Sequence, residues 1–274
     1  MFPDNPDSTN HKQILATRTV LLKTHLLNRL VLEKASLLND ECSRLPDTRF
    51  VLCFDSSAGK LQPPMQRWLT GRFETFFFGG AEEYHRLGFP LAAEHVLAKF
   101  PVNWYHGDYF LYEYVVSGRP RTDHYWLIEY DVYLAKGAWR DVLVLGDDSD
   151  LVAPFLKLQS AADGAHPGLA TFPVIADWYW WTHYAGPSPR IGCFFPVIRL
   201  SDQLVGKLMT ALIPDRVGYA EVRVPSVAFE SGVQITAFHS ACKNRGVTVV
   251  HPHWAKRYKH DPREDLVLSD DGNA

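Results

Sequence analysis

The sequence lacks any long apolar run. No segment approaches the roughly 18 to 20 consecutive apolar residues that cross a bilayer. Its first residues, MFPDNP, also lack the basic and then apolar order of a signal peptide. These absences disfavour secretion and membrane spanning, and they predict a cytoplasmic protein. A peripheral membrane contact stays open, because a protein that lies on a surface needs no such run.

Cysteine and basic charge are also scarce. The four cysteines are far apart in the sequence, with no CxxC pair, so a disulfide framework is not expected. The formal net charge is -3, which gives no global basic field of the kind that a general nucleic-acid binder needs. We therefore expect reduced thiols and no nucleic-acid partner.

Apolar content is ample, and it predicts one α/β domain. With 274 residues and 46% hydrophobic residues, the chain can bury a substantial core. Apolar positions at helical spacing predict a long helix from Leu15 to Leu45, and alternating strands and helices follow it. The predicted domain covers residues 15–260, with mobile tails at 1–14 and 261–274. Its central sheet is expected to be mostly parallel and flanked by helices.

An aromatic and β-branched stretch from His124 to Leu134 predicts a buried central strand. It contains two acids, Glu129 and Asp131, which on a strand would point the same way about 7 Å apart. Two carboxylates on a buried strand are costly unless a cation, a proton or hydrogen bonds neutralise them. The pair is therefore a candidate site for a divalent metal, with Asp131 as the hard oxygen ligand.

Two earlier segments are candidates for binding a nucleotide. The predicted strand from Arg49 to Phe54 ends in a small polar loop that contains Asp55 and Ser56, and such loops often form the floor of nucleotide sites. Asp108, before a predicted helix, is a further candidate for donor binding and for helix capping. The P-loop and Rossmann glycine motifs are absent. Asp55 is equally well interpreted as an ordinary turn residue.

A tryptophan-rich segment within residues 161–190 is a candidate wall for an acceptor sugar. Its side chains Trp178, Trp180 and Trp181 could stack on the apolar faces of sugars. The alternative is that these rings pack a long loop onto the sheet.

The C-terminal third supplies an acid, two histidines and a basic cluster. Glu221 lies in an apolar context, where burial would raise its pKa and suit it to act as a general base. It could instead be a carboxylate at a helix start, and Glu230 is the reserve candidate for the base. His253, or His251, could complete a Mn²⁺ site, while Lys256 could neutralise phosphates.

The segment from Tyr125 to Val132 (YWLIEYDV), followed by Gly137-x-Trp139, resembles the GT-A glycosyltransferases, and in particular a little-characterised GT-A-like domain of unknown function. The resemblance extends from about Arg49 to Lys259. It implies a single GT-A-like, Rossmann-like domain in which an Asp-x-Asp-like motif holds a metal on the donor diphosphate. Here the motif is Glu129-Tyr130-Asp131, which departs from that pattern at its first position.

The sequence thus predicts a glycosyltransferase that depends on Mn²⁺ or Mg²⁺ and moves a sugar from a nucleotide-sugar donor to a glycan or another hydroxyl acceptor. With Glu221 as the base, the reaction would be inverting. One alternative is a non-catalytic protein of the same fold that binds a carbohydrate or nucleotide. Another is a metal-dependent phosphoesterase, which is weakened because no second set of metal ligands clusters in the sequence.

Overall fold

A computed structural model of the protein describes residues 17–158, 184 and 190–252. Within them the strands are, in chain order, β1 (Arg18–Thr24), β2 (Thr48–Asp55), β3 (Thr75–Phe78), β4 (His124–Glu129), β5 (Tyr133–Lys136), β6 (Leu151–Ala153), β7 (Lys157–Leu158), β8 (Ile191–Gly192), β9 (Val197–Ser201), β10 (Ile235–Ala237) and β11 (Thr248–Val250). The helices are α1 (Arg29–Ser43), α2 (Pro63–Thr70), α3 (Ala81–Arg86), α4 (Glu94–Leu97), α5 (Val102–Tyr105), α6 (Tyr109–Val116), α7 (Trp139–Leu143), α8 (Asp202–Thr210), α9 (Ala220–Glu230) and α10 (Phe238–Asn244).

Seven strands form the central sheet, in the order β10-β6-β9-β4-β1-β2-β3. The pairs β1/β2, β1/β4, β2/β3 and β6/β10 are parallel, whereas β9 runs antiparallel to both β4 and β6. Two small sheets, β5/β11 and β7/β8, lie outside it. The predicted α/β class with a mostly parallel sheet is confirmed.

Helices cover both faces of this sheet, because both faces of its strands are apolar. Leu21 of β1 and Leu127 of β4 belong to one core cluster, which includes residues of α6, α8 and α9. Their neighbours Val20 and Trp126 belong to a second cluster, with residues of α1, α7 and α10. Side chains of a strand alternate between its two faces, so β1 and β4 contribute to a core on each side.

The predicted helix from Leu15 to Leu45 is wrong in its first half. Residues 18–24 form β1, and the helix begins at Arg29, where the Asn28 side chain accepts a hydrogen bond from the Val31 amide at 3.0 Å. The run of leucines fits helical spacing in the sequence. A strand buried on both faces is equally continuous in its apolar residues, so periodicity alone does not separate the two structures.

Other predicted features have mixed outcomes. The strand expected from Arg49 to Phe54 is β2 (Thr48–Asp55). Ser201 caps α8, and its side chain accepts a hydrogen bond from the Leu204 amide at 3.0 Å. The four cysteines are buried and free. Among the described residues, no helix is both long and apolar enough to span a membrane. The predicted tails, 1–14 and 261–274, lie outside the described residues.

Candidate active site

A cleft of about 960 Å³ opens where the parallel strands end. Lys23 from the end of β1, Asp55 from the end of β2 and Glu129 from the end of β4 all line it. In the sheet, β2 and β3 lie on one side of β1, whereas β4 and the later strands lie on its other side. The strand order therefore reverses at β1. Ligands of open α/β sheets bind at such a reversal of strand order. The volume also suits a large organic ligand.

Three potential metal ligands meet in this cleft. Glu129, Asp131 and His251 each offer one ligand atom, and these atoms lie within 4.8 Å of one another. His251 Nε2 is 3.2 Å from Asp131 Oδ2, while the buried Asp131 Oδ1 has no hydrogen-bond partner among the described residues. Two carboxylates and an imidazole, with one buried oxygen that no described residue pairs, suit a divalent cation such as Mn²⁺ or Mg²⁺.

The local backbone explains why these three residues meet. β4 ends at Glu129 and not at Leu134 as predicted, so Asp131 lies in a turn. That turn leads into β5, and β11 pairs antiparallel with β5, with Val250 opposite Tyr133. Since His251 directly follows β11, the pairing delivers its imidazole beside Asp131.

The structure therefore brings His251 to the acids. His253, which the sequence favoured as the metal ligand, lies outside the described residues, as do Lys256 and the predicted acceptor residues Trp178, Trp180 and Trp181. Their roles remain predictions.

The surroundings of Asp131 favour its carboxylate form. Burial raises the pKa of Asp131, but the hydrogen bond and charge of His251, with the nearby Lys34, outweigh it and lower the pKa overall. Conversely, burial lowers the pKa of Lys34 to about 7, although the charges of Asp131 and Glu129 oppose this shift. An ionised carboxylate is the form that binds a metal ion.

Lys23 is a residue of the cleft that the sequence reasoning missed. Its Nζ donates to the Asn103 carbonyl at 2.6 Å and lies 3.7 Å from Glu129 Oε1. Since residues 18–24 were predicted to be helical, nothing placed Lys23 at the end of a strand beside Glu129. Recognising β1 as a buried parallel strand would have put this lysine at the carboxyl edge of the sheet.

A polar corner lies at the end of β2. Asp55 lines the cleft, and its Oδ1 accepts hydrogen bonds from the amide (2.9 Å) and hydroxyl (2.6 Å) of Ser57. Asn103 Nδ2 donates to Ser57 Oγ at 3.0 Å. Asp55 is thus both the predicted turn residue and part of the cleft. Ser56 is not among the lining residues, and its hydroxyl donates to the Phe78 carbonyl at 2.5 Å.

Asp108 does not lie in the cleft, in contrast to its predicted contact with the donor. Its side chain is fully buried, forms an ion pair with Arg223 of α9 and accepts a hydrogen bond from the Tyr112 hydroxyl at 2.5 Å. It also makes no side-chain cap at the start of α6. The placement indicates a structural role, which holds α6 against α9.

Glu221 lies in the first turn of α9 and lines the cleft. Its carboxylate is buried, accepts a hydrogen bond from the Phe195 amide at 3.1 Å and is a hydrogen-bond partner of Tyr219. Glu221 therefore occupies the helix start that the sequence left open as an alternative to the role of base. It also lies within reach of a ligand bound in the cleft. Glu230, the reserve candidate, is at the other end of α9 and pairs with Arg216 at 2.8 Å.

Aromatic rings form one wall of the cleft beside Glu221. The rings of Phe100 and Trp104 are stacked with centroids 5.2 Å apart, and the ring centroid of Tyr219 is 5.0 Å from that of Trp104. All three line the cleft, and Trp104 is 44% exposed. Such rings offer flat apolar faces to a base or a sugar.

Behind the polar corner, Glu113 of α6 binds the loop after β3. Its surroundings predict that the stability of the fold depends on pH. Its two carboxylate oxygens accept from the Gly79 amide at 3.2 and 3.1 Å, and burial raises its pKa to about 7. Between its unfolded pKa and about 7, the folded state holds a proton that the unfolded state has lost. Raising the pH through this window therefore destabilises the fold.

We expect Glu113→Gln to remove this pH dependence, because the amide oxygen still accepts from Gly79 but does not ionise. The melting temperature of the variant, relative to the wild type, should rise by about 2 to 4 °C between pH 5 and pH 8, after allowance for solvent screening. Thermal unfolding at both pH values measures it. Glu33→Gln, at an exposed pair with Arg29, is the control and should show no such change. If the difference in melting temperature between Glu113→Gln and the wild type is the same at pH 5 and pH 8, the prediction is wrong.

Three solved structures show what the chain is similar to. It is 9% identical to an active-site mutant of LgtC (TM-score 0.44), covering 89% of this chain and 84% of that one. It is 12% identical to the mannosyltransferase Ktr4p from S. cerevisiae (TM-score 0.46; 86% and 70%) and 12% identical to the inositol-1-phosphate CTP transferase from T. maritima (TM-score 0.43; 89% and 94%). No family model and no curated protein matches the sequence.

Because identities and TM-scores are low, function has to be argued from the cleft itself.

Proposed function

We propose that the protein is a metal-dependent glycosyltransferase that uses a nucleotide-sugar donor. The observation that carries the proposal is the meeting of Glu129, Asp131 and His251 in a large cleft at the carboxyl ends of β1, β2 and β4. A nucleotide sugar combines a flat base, an anionic diphosphate and a hexose. The cleft offers aromatic rings, a metal-ligand set and polar side chains in the same cavity.

The anionic part of the donor fits the acidic end of the cleft only if cations neutralise it. Glu129, Asp131 and His251 would hold Mn²⁺ or Mg²⁺, which when bound counters the charge that grows on a diphosphate leaving group. Lys23 adds a protein cation beside Glu129. On the other side of β1 from Glu129, at the end of β2, Asp55 and Ser57 supply oxygen atoms that would bind polar atoms of the ribose or the base.

Glu221 is the proposed general base. Its carboxylate borders the cleft, next to the aromatic wall. There it would take the proton of an acceptor hydroxyl while that oxygen attacks the anomeric carbon and the nucleoside diphosphate departs from the opposite face. One displacement of this kind inverts the anomeric centre. The Phe195 amide, which donates to the carboxylate, keeps it oriented.

A thermal-shift panel of UDP, GDP, CMP and ADP, with and without Mn²⁺, tests the donor site. We expect at least one nucleoside diphosphate to raise the melting temperature only when Mn²⁺ is present. Mass spectrometry of nucleotide sugars incubated with the protein then identifies the donor, since slow transfer to water releases the free sugar. Stabilisation without release of sugar would favour a binding protein, and no response to any nucleotide would contradict the proposal.

We expect Glu221→Gln to spare donor binding and remove transfer. The amide keeps an oxygen for the Phe195 amide but does not accept a proton, so turnover should fall by about 10² to 10⁴-fold. Nucleotide binding with Mn²⁺ should stay within about two-fold of the wild type. Glu230→Gln, on the same helix but outside the cleft lining, is the matched control and should keep its turnover. Unchanged turnover in Glu221→Gln would make the base assignment wrong.

The phosphoesterase alternative receives less support. In the part of the chain that the structure describes, the three residues of the cleft form the one cluster of potential metal ligands. A hydrolase of the two-metal type needs a second cluster about 4 Å away.

A further inference from the structure

The turn at residues 129–132, which we call the metal-binding turn, begins at Glu129, the last residue of β4, and carries Asp131 outside regular structure. On the sheet side it has two backbone anchors. The Glu129 amide donates to the Pro196 carbonyl at 2.7 Å, and the Tyr130 amide donates to the Lys23 carbonyl at 3.0 Å. Neither of these two bonds involves Asp131. The Val132 amide closes the turn by donating to the Glu129 carbonyl at 3.2 Å, and His251 contacts the Asp131 carboxylate at 3.2 Å. A carbonyl oxygen has two lone pairs, so the Glu129 and Val132 carbonyls can accept further support from the helix side.

Lys34 supplies that support from the helix side. Its Nζ donates to the carbonyl of Glu129 at 2.7 Å and also to the carbonyl of Val132, so one ammonium joins the first and last residues of the turn. The same group lies over the rings of Trp139 (5.5 Å) and Tyr133 (5.8 Å). An ammonium with two carbonyls and two ring faces around it is confined to one position.

The register of α1 places this lysine under the sheet. Lys34 follows the buried Val31 by three residues and precedes the buried Leu38 by four, so all three share one face of the helix. Leu38 on that face belongs to the core cluster that includes residues of β1 and β4. The lysine is thus built into the core side of α1, and its charged end emerges beneath the metal-binding turn.

We propose that Lys34 is a positioning residue for the metal site: it joins the carbonyls of Glu129 and Val132 and thereby holds Asp131 in place to bind the ion. This role rests on the metal site of the proposed function. Lys34 is not among the residues that line the cleft, so it acts through the turn and not by contact with a substrate. Groups that orient metal ligands typically alter metal affinity by about 10- to 100-fold.

A purely electrostatic role would have the opposite sign. A positive charge near Glu129 and Asp131 repels an incoming Mn²⁺, so removing that charge alone would tighten metal binding. Removing a support of the turn would weaken it, because the ligands would have to be ordered when the ion binds. The direction of the change in Mn²⁺ affinity therefore separates the two roles.

The test is titration of the full chain with MnCl₂, followed by calorimetry and by the electron paramagnetic resonance signal of free Mn²⁺. We expect Lys34→Met to weaken Mn²⁺ binding by about 10-fold or more. Lys34→Gln, whose side-chain amide keeps an NH₂ group as a donor, should show a smaller loss. The matched control is Lys207→Met: Lys207 also donates to a backbone carbonyl, that of Ser231 at 3.3 Å, but far along the chain on α8. It should bind Mn²⁺ like the wild type.

The outcomes are distinguishable. Equal or tighter Mn²⁺ binding by Lys34→Met and Lys34→Gln, with near-ultraviolet circular dichroism like that of the wild type, would overturn the positioning role and leave the metal site intact. Failure of the wild type itself to bind Mn²⁺ would overturn the metal site and, with it, this inference. If Lys34→Met does not fold, the affinity of Lys34→Gln decides the question.

Discussion

Asp131→Asn is expected to abolish the stabilisation that nucleotides give in the presence of Mn²⁺. The amide has the shape of the carboxylate but no negative charge, so the site loses a hard anionic ligand and His251 loses its acidic partner at 3.2 Å. Changing groups that merely orient a ligand costs about 10- to 100-fold in metal affinity, so the loss of the ligand charge should exceed about 100-fold. Donor turnover should fall at least as far.

Asp202→Asn is the matched control for this variant. The Asp202 carboxylate also forms an ion pair, with Arg121 at 2.7 Å. It lies at the start of α8, however, near the end of β4 that is opposite the cleft. We expect the control to keep the Mn²⁺-dependent shift in melting temperature, which differential scanning fluorimetry measures for both variants. A full Mn²⁺-dependent shift in Asp131→Asn would remove Asp131 from the metal site.

The acids of β4 were predictable because their chemistry conflicts with their surroundings. A stretch as apolar and aromatic as residues 124–128 identifies a buried strand, and acids that follow it directly need a counter-charge. Local sequence therefore sufficed to locate Glu129 and Asp131. It did not show that the strand stops at Glu129, since the boundary depends on pairing between β5 and β11, which are more than 100 residues apart in sequence.

The same long-range pairing places His251 in the site. His251 and His253 are two residues apart and chemically equivalent in the sequence, so their types alone give no reason to prefer one. The register of β11 on β5 places Val250 opposite Tyr133, and this brings the next residue, His251, to the level of Asp131. Register is a property of the folded sheet, so the sequence, which favoured His253 with His251 as the alternative, could not show that His251 meets Asp131.

The cations of the site were missed for a related reason. Lys23 and Lys34 lie in the segment that was predicted as one long helix, within which no residue is directed toward the acids of β4. In the fold, β1 brings Lys23 to 3.7 Å from the Glu129 carboxylate, and α1 brings the Lys34 ammonium to the backbone carbonyl of Glu129. The neutralising charge that the acids require was thus present in the sequence, but at a distance of about 100 residues.

Asp108→Ala is expected to destabilise the protein by about 3 to 5 kcal/mol, a typical cost for removing one partner of a buried ion pair. Asp108 is fully buried and Arg223 is 2% exposed in its side chain, so the arginine would keep its charge with no carboxylate beside it. The Tyr112 hydroxyl would also lose its acceptor. Urea unfolding measures the change, which corresponds to a fall of roughly 6 to 20 °C in melting temperature.

The double variant Asp108→Leu/Arg223→Met separates the cost of an unpaired charge from the contribution of the pair. With both charges replaced by apolar groups, much of the lost stability should return, because a buried ion pair gains little over well-packed apolar side chains. Glu230→Gln, which breaks the less buried pair with Arg216, should cost under about 1 kcal/mol. If Asp108→Ala unfolds within 1 kcal/mol of the wild type, Arg223 has found another counter-charge, and the pair does not hold α6 against α9.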